Sequence, residues 1–235
     1  MRSQATTHNS PGTRLILKSR FLHPAAVLTM SFLAAIALGT GLLMLPLSNA
    51  KDEVAPFLSA LFTATSAVCV TGLVVVDTGS YWSAEGQILI MAMFQLGGFG
   101  MMPSATLMGL LMGGQMRLRT QLLLQAETHS LALGDVKSFA KVVLWVTLLT
   151  ELSIALLLTL RFALGYGMPW GEAIWQGLFH AVSAFNNAGF STWSDNLMRF
   201  VGDAFVLGPL MLAIIIGGLG FPVLHELLVD RRRPS

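Results

Sequence analysis

Two short strips of this chain can bind a cation without an ionised side chain. Thr65-Ser-Ala-Val-Cys-Val-Thr-Gly-Leu73 returns, altered, as Val182-Ser-Ala-Phe-Asn-Asn-Ala-Gly-Phe190, 117 residues further on. Each strip follows a Leu-Phe pair and precedes an apolar segment with a Gly-Gly-x-Gly knot. The knots are Gly97, Gly98 and Gly100, then Gly217, Gly218 and Gly220, offset by 120 residues. An extended strip ending at a glycine, whose missing Cβ admits turns closed to other residues, can aim successive carbonyl oxygens at one axis. Rings of such carbonyls replace the hydration shell of an alkali cation. Val68-Cys69-Val70-Thr71-Gly72 and Phe185-Asn186-Asn187-Ala188-Gly189 would supply mainly backbone ligands, with Asn186 and Asn187 bracing the strip from behind. The plainer reading, a helix C-cap followed by a loop, does not account for two copies in the same setting.

The elements around the strips are set by apolar length. About 20 apolar residues span a hydrocarbon core, and four segments qualify: 22–47, 86–112, 139–164 and 203–229. Residues 55–67 and 170–184 are too short to span, at near 20 Å of helix. They begin with helix-start chemistry, Asp52-Glu53 then Pro56 in one, Pro169 and Glu172 in the other,. They are expected to be re-entrant half-helices, each ending in a strip. The expected fold is an all-α membrane protein of two tandem repeats: helix, re-entrant pore helix, filter, helix. Residues 1–21 form a cytoplasmic tail, 22–112 the first pore repeat, 113–138 a cytoplasmic linker, 139–230 the second repeat and 231–235 a basic cytoplasmic end.

Composition requires lipid around such a chain. Of its 235 residues 54% are hydrophobic and 11% charged, with mean hydropathy +0.69; a soluble domain carries about a quarter charged residues. In a bilayer, non-helical backbone is tolerated only where protein buries it or water reaches it, so the strips mark the functional site. Arg2, Arg14, Lys18 and Arg20 near the start and Arg231-Arg232-Arg233 near the end, against Asp52, Glu53, Asp77 and Glu85 between the first two spans, place both termini in the cytoplasm,. The expected location is a plasma membrane, crossed several times. The basic tails lack interleaved aromatics and read as topogenic, with no nucleic acid as partner. Cys69 is the one cysteine, so no internal disulfide forms.

At this point the residues resemble a known family. Ala64 through Leu73, Asp77-Thr78-Gly79 and Gln95-Leu-Gly-Gly-Phe-Gly100 look like the first pore repeat of the Trk/Ktr/HKT potassium transporters. Ser183 through Phe190 with Ile216-Gly-Gly-Leu-Gly-Phe221 looks like the second. The bacterial Ktr/Trk membrane subunit is the nearest likeness, over about residues 22–229. The resemblance implies potassium, sometimes sodium, passing through a channel-like pore. It makes Gly72 and Gly189 the selectivity glycines and puts the ion-binding backbone at Val70, Thr71, Gly72, Asn187, Ala188 and Gly189. Val68, Cys69 and Asn186 would support that filter. It also implies a cytoplasmic nucleotide-binding regulatory subunit, and glycine at the filter position points to potassium. The family's pore has four repeats; this chain has two. Either it is part of a longer chain or two copies pair.

Other residues are weighed beside these. Gly97, Gly98, Gly100, Gly217, Gly218 and Gly220, with Pro103 and Pro222, form either a hinge or a close-packing surface. Gln95 is expected to hydrogen-bond within the bundle. Glu151, at mid-span, is a proton site, a neutral hydrogen-bonded group at the repeat interface, or a group aimed at another repeat. His180 reads as packing or a hydrogen bond. His225-Glu226 is no metalloprotease motif, because Val229 stands where a second histidine is needed,. No enzyme motif and no cofactor site is found; the cargo is the cation. Two further readings compete: a coupled secondary transporter of another small solute, since broken helices serve that class, and a non-conducting half-pore used only in assembly.

Overall fold

The computed structural model describes residues 24–98, 100 and 136–219. The tail 1–21, nearly all of the linker, Gly220, Pro103, Pro222, His225, Glu226 and the basic end lie outside the described residues. Helix α1 spans Pro24–Leu43 and α2 Phe57–Val68; α3 is a four-residue helix, Thr78–Tyr81; α4 spans Ala84–Gly98. Helix α5, Val136–Leu160, runs on through a wider π turn, Arg161–Gly165; α6 spans Trp170–Phe185 and α7 Ala204–Leu219. No strand occurs among the described residues; one isolated antiparallel bridge pairs Asn49 with Trp82.

The order of long helix, short helix, turn and helix occurs twice in these elements. Both short helices start the same way. Pro56 and Pro169 stand at their N-caps with φ near −55° and ψ of 134° and 139°, so the ring holds φ while the chain enters from an extended segment,. They end at Val68 and Phe185, within one residue of the expected 67 and 184. Helix α4 runs to Gly98, and Gly100, at φ +65°, donates its N–H to the Gly97 carbonyl at 2.8 Å; the rest of the expected span 86–112 lies outside the described residues. The glycine knot ends this helix because nothing there opposes left-handed backbone.

Among the described residues, Val143–Gly165 is long and apolar enough to cross a membrane. Its two faces differ. Trp145, Leu149, Leu152 and Leu156 are exposed, while Val143, Thr147, Glu151, Ile154 and Leu158 are buried. Thr147 and Glu151 are therefore turned inward, while Leu149, Leu152 and Leu156 face outward, which suits an apolar solvent,.

Two cores hold the helices. The first joins Leu43, Ala60, Ala64, Ile90 and Phe94 to Phe179, Val182, Ala188 and Phe190 of the second half. Phe94 meets Phe179 edge-on at 5.7 Å and stacks on Phe190 at 5.8 Å. The second core gathers Leu158, Phe162, Trp193, Phe200 and Val206. Since the first core draws on both halves, the two strips are fixed relative to each other.

Candidate functional site: two glycine-ended strips

Each short helix ends in a Schellman motif, the paired hydrogen bonds that close a helix around one left-handed residue. In the first, Val70 N–H donates to Ala67 O at 3.0 Å and Thr71 N–H to Ser66 O at 2.8 Å. In the second, Asn187 N–H donates to Ala184 O at 3.1 Å and Ala188 N–H to Ser183 O at 2.8 Å. The left-handed residues are Val70 at φ 54° and Asn187 at φ 57°. Two residues on, Gly72 at φ 76° and Gly189 at φ 70° are left-handed again. The strips are thus not uniformly extended, as the sequence reading expected. Left-handed backbone alternates with residues outside that region. In a plain strand successive residues face opposite sides; alternating the hand of the backbone breaks that alternation.

The strips meet at their glycines. A Cβ built on Gly72 would lie 2.4 Å from Ala188 O and 3.0 Å from Gly189 Cα; one on Gly189 would meet Gly72 Cα at 3.5 Å. No ionised side chain lies in either strip, and among the described residues no group of three or more His, Cys, Asp or Glu could hold a metal.

The glycine knots back the strips. A Cβ on Gly97 would stand 2.1 Å from Val68 O, and one on Gly217 would stand 1.7 Å from Phe185 O. The last helical carbonyl of each short helix therefore points at a glycine of the following helix. A Cβ on Gly98 would strike Asn186 Oδ1 at 2.1 Å, while Gly218 is looser, with Asn187 Nδ2 at 3.8 Å. These contacts are close packing of helix on strip.

Side chains secure the second strip. Asn186 Nδ2 donates to Gln95 Oε1 at 2.6 Å and to Val182 O at 2.8 Å, with Glu151 Oε1 at 3.3 Å. Gln95 Nε2 donates to Glu151 Oε1 at 2.9 Å. Asn187 Nδ2 makes long contacts with Phe185 O at 3.5 Å and Ile214 O at 3.4 Å. Ser183 Oγ donates to Phe190 O at 2.7 Å, tying the helix to the residue after the glycine. His180, stacked on Trp193 at 4.1 Å, has Nδ1 2.8 Å from Gln176 O and Nε2 2.9 Å from Ser191 Oγ. A carbonyl cannot donate, so Nδ1 carries the proton and Nε2 accepts from Ser191. Thr192 Oγ1 donates to Gln176 Oε1. A cavity of about 270 Å³ opens beside this strip, with Ser183, Asn187, Gly189, Leu210 and Ile214 among its lining.

The first strip has few such bonds. Cys69 is exposed, and Ser66 Oγ is buried without a hydrogen-bond partner. Sequence reasoning missed the union of Gln95, Glu151 and Asn186 in one cluster and the Ser183 latch. The available signal was three polar residues set in otherwise apolar segments.

Known proteins are similar to this chain. The family model described as cation transport protein, TrkH, matches residues 7–233. The Ktr system potassium uptake protein B of Bacillus subtilis is 42% identical over 209 residues, 89% of this chain and 46% of that protein. The Potassium/sodium uptake protein NtpJ of Enterococcus hirae is 33% identical over 220 residues, 92% of this chain and 48% of that protein. The Ktr system potassium uptake protein B of Vibrio alginolyticus is 36% identical over 200 residues, 85% of this chain and 43% of that protein. The chain spans a little under half the length of these relatives. With the family model matching nearly its whole length, the chain belongs to the TrkH family of cation transport proteins, which are membrane transporters and not enzymes.

Proposed function

We propose that this chain supplies two walls of a potassium-conducting pore, with Val70, Thr71, Gly72, Asn187, Ala188 and Gly189 presenting backbone oxygens to the ion. The observation that carries this reading is the pair of alternating-hand strips, each set on the C-terminus of a short helix and touching at Gly72 and Gly189. A helix C-terminus presents about half a negative charge, which favours a cation and rejects an anion. Carbonyl oxygens held by Schellman motifs and glycine contacts replace water around the ion without a buried charge that would trap it. The names of the relatives, potassium or potassium/sodium uptake proteins, support the same cargo.

Two strips cannot surround an ion. The remaining walls come from a further pair of repeats or from a second copy of this chain. The long helices cross the bilayer, the short ones re-enter it from outside, and both termini face the cytoplasm of a bacterial inner membrane. A cytoplasmic nucleotide-binding subunit is the expected regulator. The tight contacts at Gly97, Gly98 and Gly217 fit close packing of helix on strip.

Rescue of a potassium-uptake-deficient bacterium tests the reading. The chain is expressed alone and as a tandem fusion of two copies. Growth on low potassium that is lost with Gly72→Ser or Gly189→Ser is expected. Stable insertion and dimer cross-linking without rescue, and with no effect of either glycine change, would instead support the assembly-only half-pore.

A further inference from the structure

We propose that Glu151 is a positioning residue for the second strip, acting through Gln95 on Asn186. Glu151 lies on the buried face of α5, 5% exposed, between outward leucines. A carboxyl there is costly unless it is hydrogen-bonded. The bonds run in one direction. Asn186 has two amide protons, and its two shortest contacts, to Gln95 Oε1 and Val182 O, use both,. Gln95 then presents its NH₂ to Glu151. The carboxyl oxygen thus decides which way the Gln95 amide faces. A flipped Gln95 would put NH₂ against NH₂ at Asn186. Asn186 is the C-cap of α6 and adjoins the left-handed Asn187, so its side chain fixes where the strip leaves the helix. Thr147, one turn earlier on the same buried face, makes no hydrogen bond, which leaves Glu151 as the polar anchor of α5 here.

Only the second strip is held this way. The place matching Asn186 in the first is Cys69, a free and exposed thiol. The place matching Gln95 in the second half is Ile215, exposed and apolar. The chain Asn186–Gln95–Glu151 therefore also joins the two halves, since Gln95 lies on α4 and the other two lie beyond α5's start.

Hydrogen exchange on the full chain in detergent tests the brace, with the first strip as internal control. Glu151→Leu is expected to speed exchange of the Asn187 and Ala188 amides about 10- to 100-fold, the loss of one or two buried hydrogen bonds. Val70 and Thr71, with the same Schellman bonds, should keep wild-type protection. Glu151→Gln keeps an acceptor oxygen and should stay within about threefold of wild type by the same reasoning. If Glu151→Leu does not fold, Gln95→Leu cuts the same chain from its middle and carries the same expectation. Equal protection in all variants, equal loosening of both strips, or a Gln variant as loose as Leu would each overturn the proposal. The link to conduction rests on the filter reading above. In an uptake-competent assembly Glu151→Leu should lower potassium-over-sodium selectivity about tenfold, on the order of one hydrogen bond's free energy. Absent wild-type uptake would sink the filter reading while the exchange result still decides the brace.

Discussion

The two strips share a backbone and differ in what holds it. Both follow a short helix, close it with a Schellman motif and turn left-handed at alternate residues. In the second, the first left-handed position is asparagine, which tolerates that region; in the first it is Val70, a β-branched residue for which a φ of 54° is an outlier,. The second is tied by Ser183 to Phe190, by Asn186 to Gln95 and by His180 to Ser191. In the first, Ser66 has no partner and Cys69 faces outward. What keeps the first strip in shape is contact, chiefly of Gly72 with the Ala188 carbonyl and Gly189. The lesson is that one backbone can be held by side-chain hydrogen bonds in one copy and by its own helix closure and close packing in the other.

The largest test of that asymmetry swaps the glycines. Gly72→Ala should cost roughly 2–5 kcal/mol, combining left-handed strain with a clash against backbone,. Gly189→Ala meets only Gly72 Cα at 3.5 Å and should cost about 1–2 kcal/mol,. Thermal unfolding in detergent ranks them, and equal losses would remove the asymmetry in packing. Next, Asn186→Leu leaves the Gln95 Oε1 without its donor while Gln95 still pairs with Glu151, and should cost about 1–3 kcal/mol,. Cys69→Ala at the matching place should stay within about 0.5 kcal/mol in denaturant titrations. Smaller still, Ser183→Ala gives up a 2.7 Å buried bond and should cost about 1 kcal/mol or a little more,. Ser66→Ala removes an unsatisfied hydroxyl and should be neutral or slightly stabilising,. The reverse order would show that the first strip, not the second, is held by its serine.

The smallest effect is in the turn after the first strip. Burial pushes the Asp77 carboxyl up, but hydrogen bonds from the Ser80 and Ser194 side chains and from the Ser80 and Gly79 backbone outweigh it and leave it below its ordinary 3.8. A depressed carboxylate stabilises above its unfolded value, and that stability is lost as pH falls through the folded value. Unfolding midpoints should therefore drop slightly more below pH 3.8 in wild type than in Asp77→Asn.

Much of this site is legible in the residues. The pairing of strips, the short helices and their proline starts follow from local rules, because a proline before an apolar run and a glycine after it act through their own backbone. The same rules could not show Val70 in left-handed backbone, since no propensity favours it; the Schellman closure and the seat against Gly97 impose it. The end of α4 at Gly98 was hidden for the opposite reason. Apolar content continues past it, and only the glycines' freedom, not hydropathy, decides where the helix stops.

By itself the sequence determined that the chain is apolar, repeated, and furnished with two uncharged glycine-ended strips, because composition and spacing are local properties. The tertiary structure decided which groups face each other across 56 to 91 residues of chain: Gln95 with Glu151, and Asn186 with Gln95. It also decided that Gly72 needs its missing Cβ far more than Gly189 does. Those outcomes depend on how closely α4, α5 and α6 approach, and closeness of approach is set by the packed core they share.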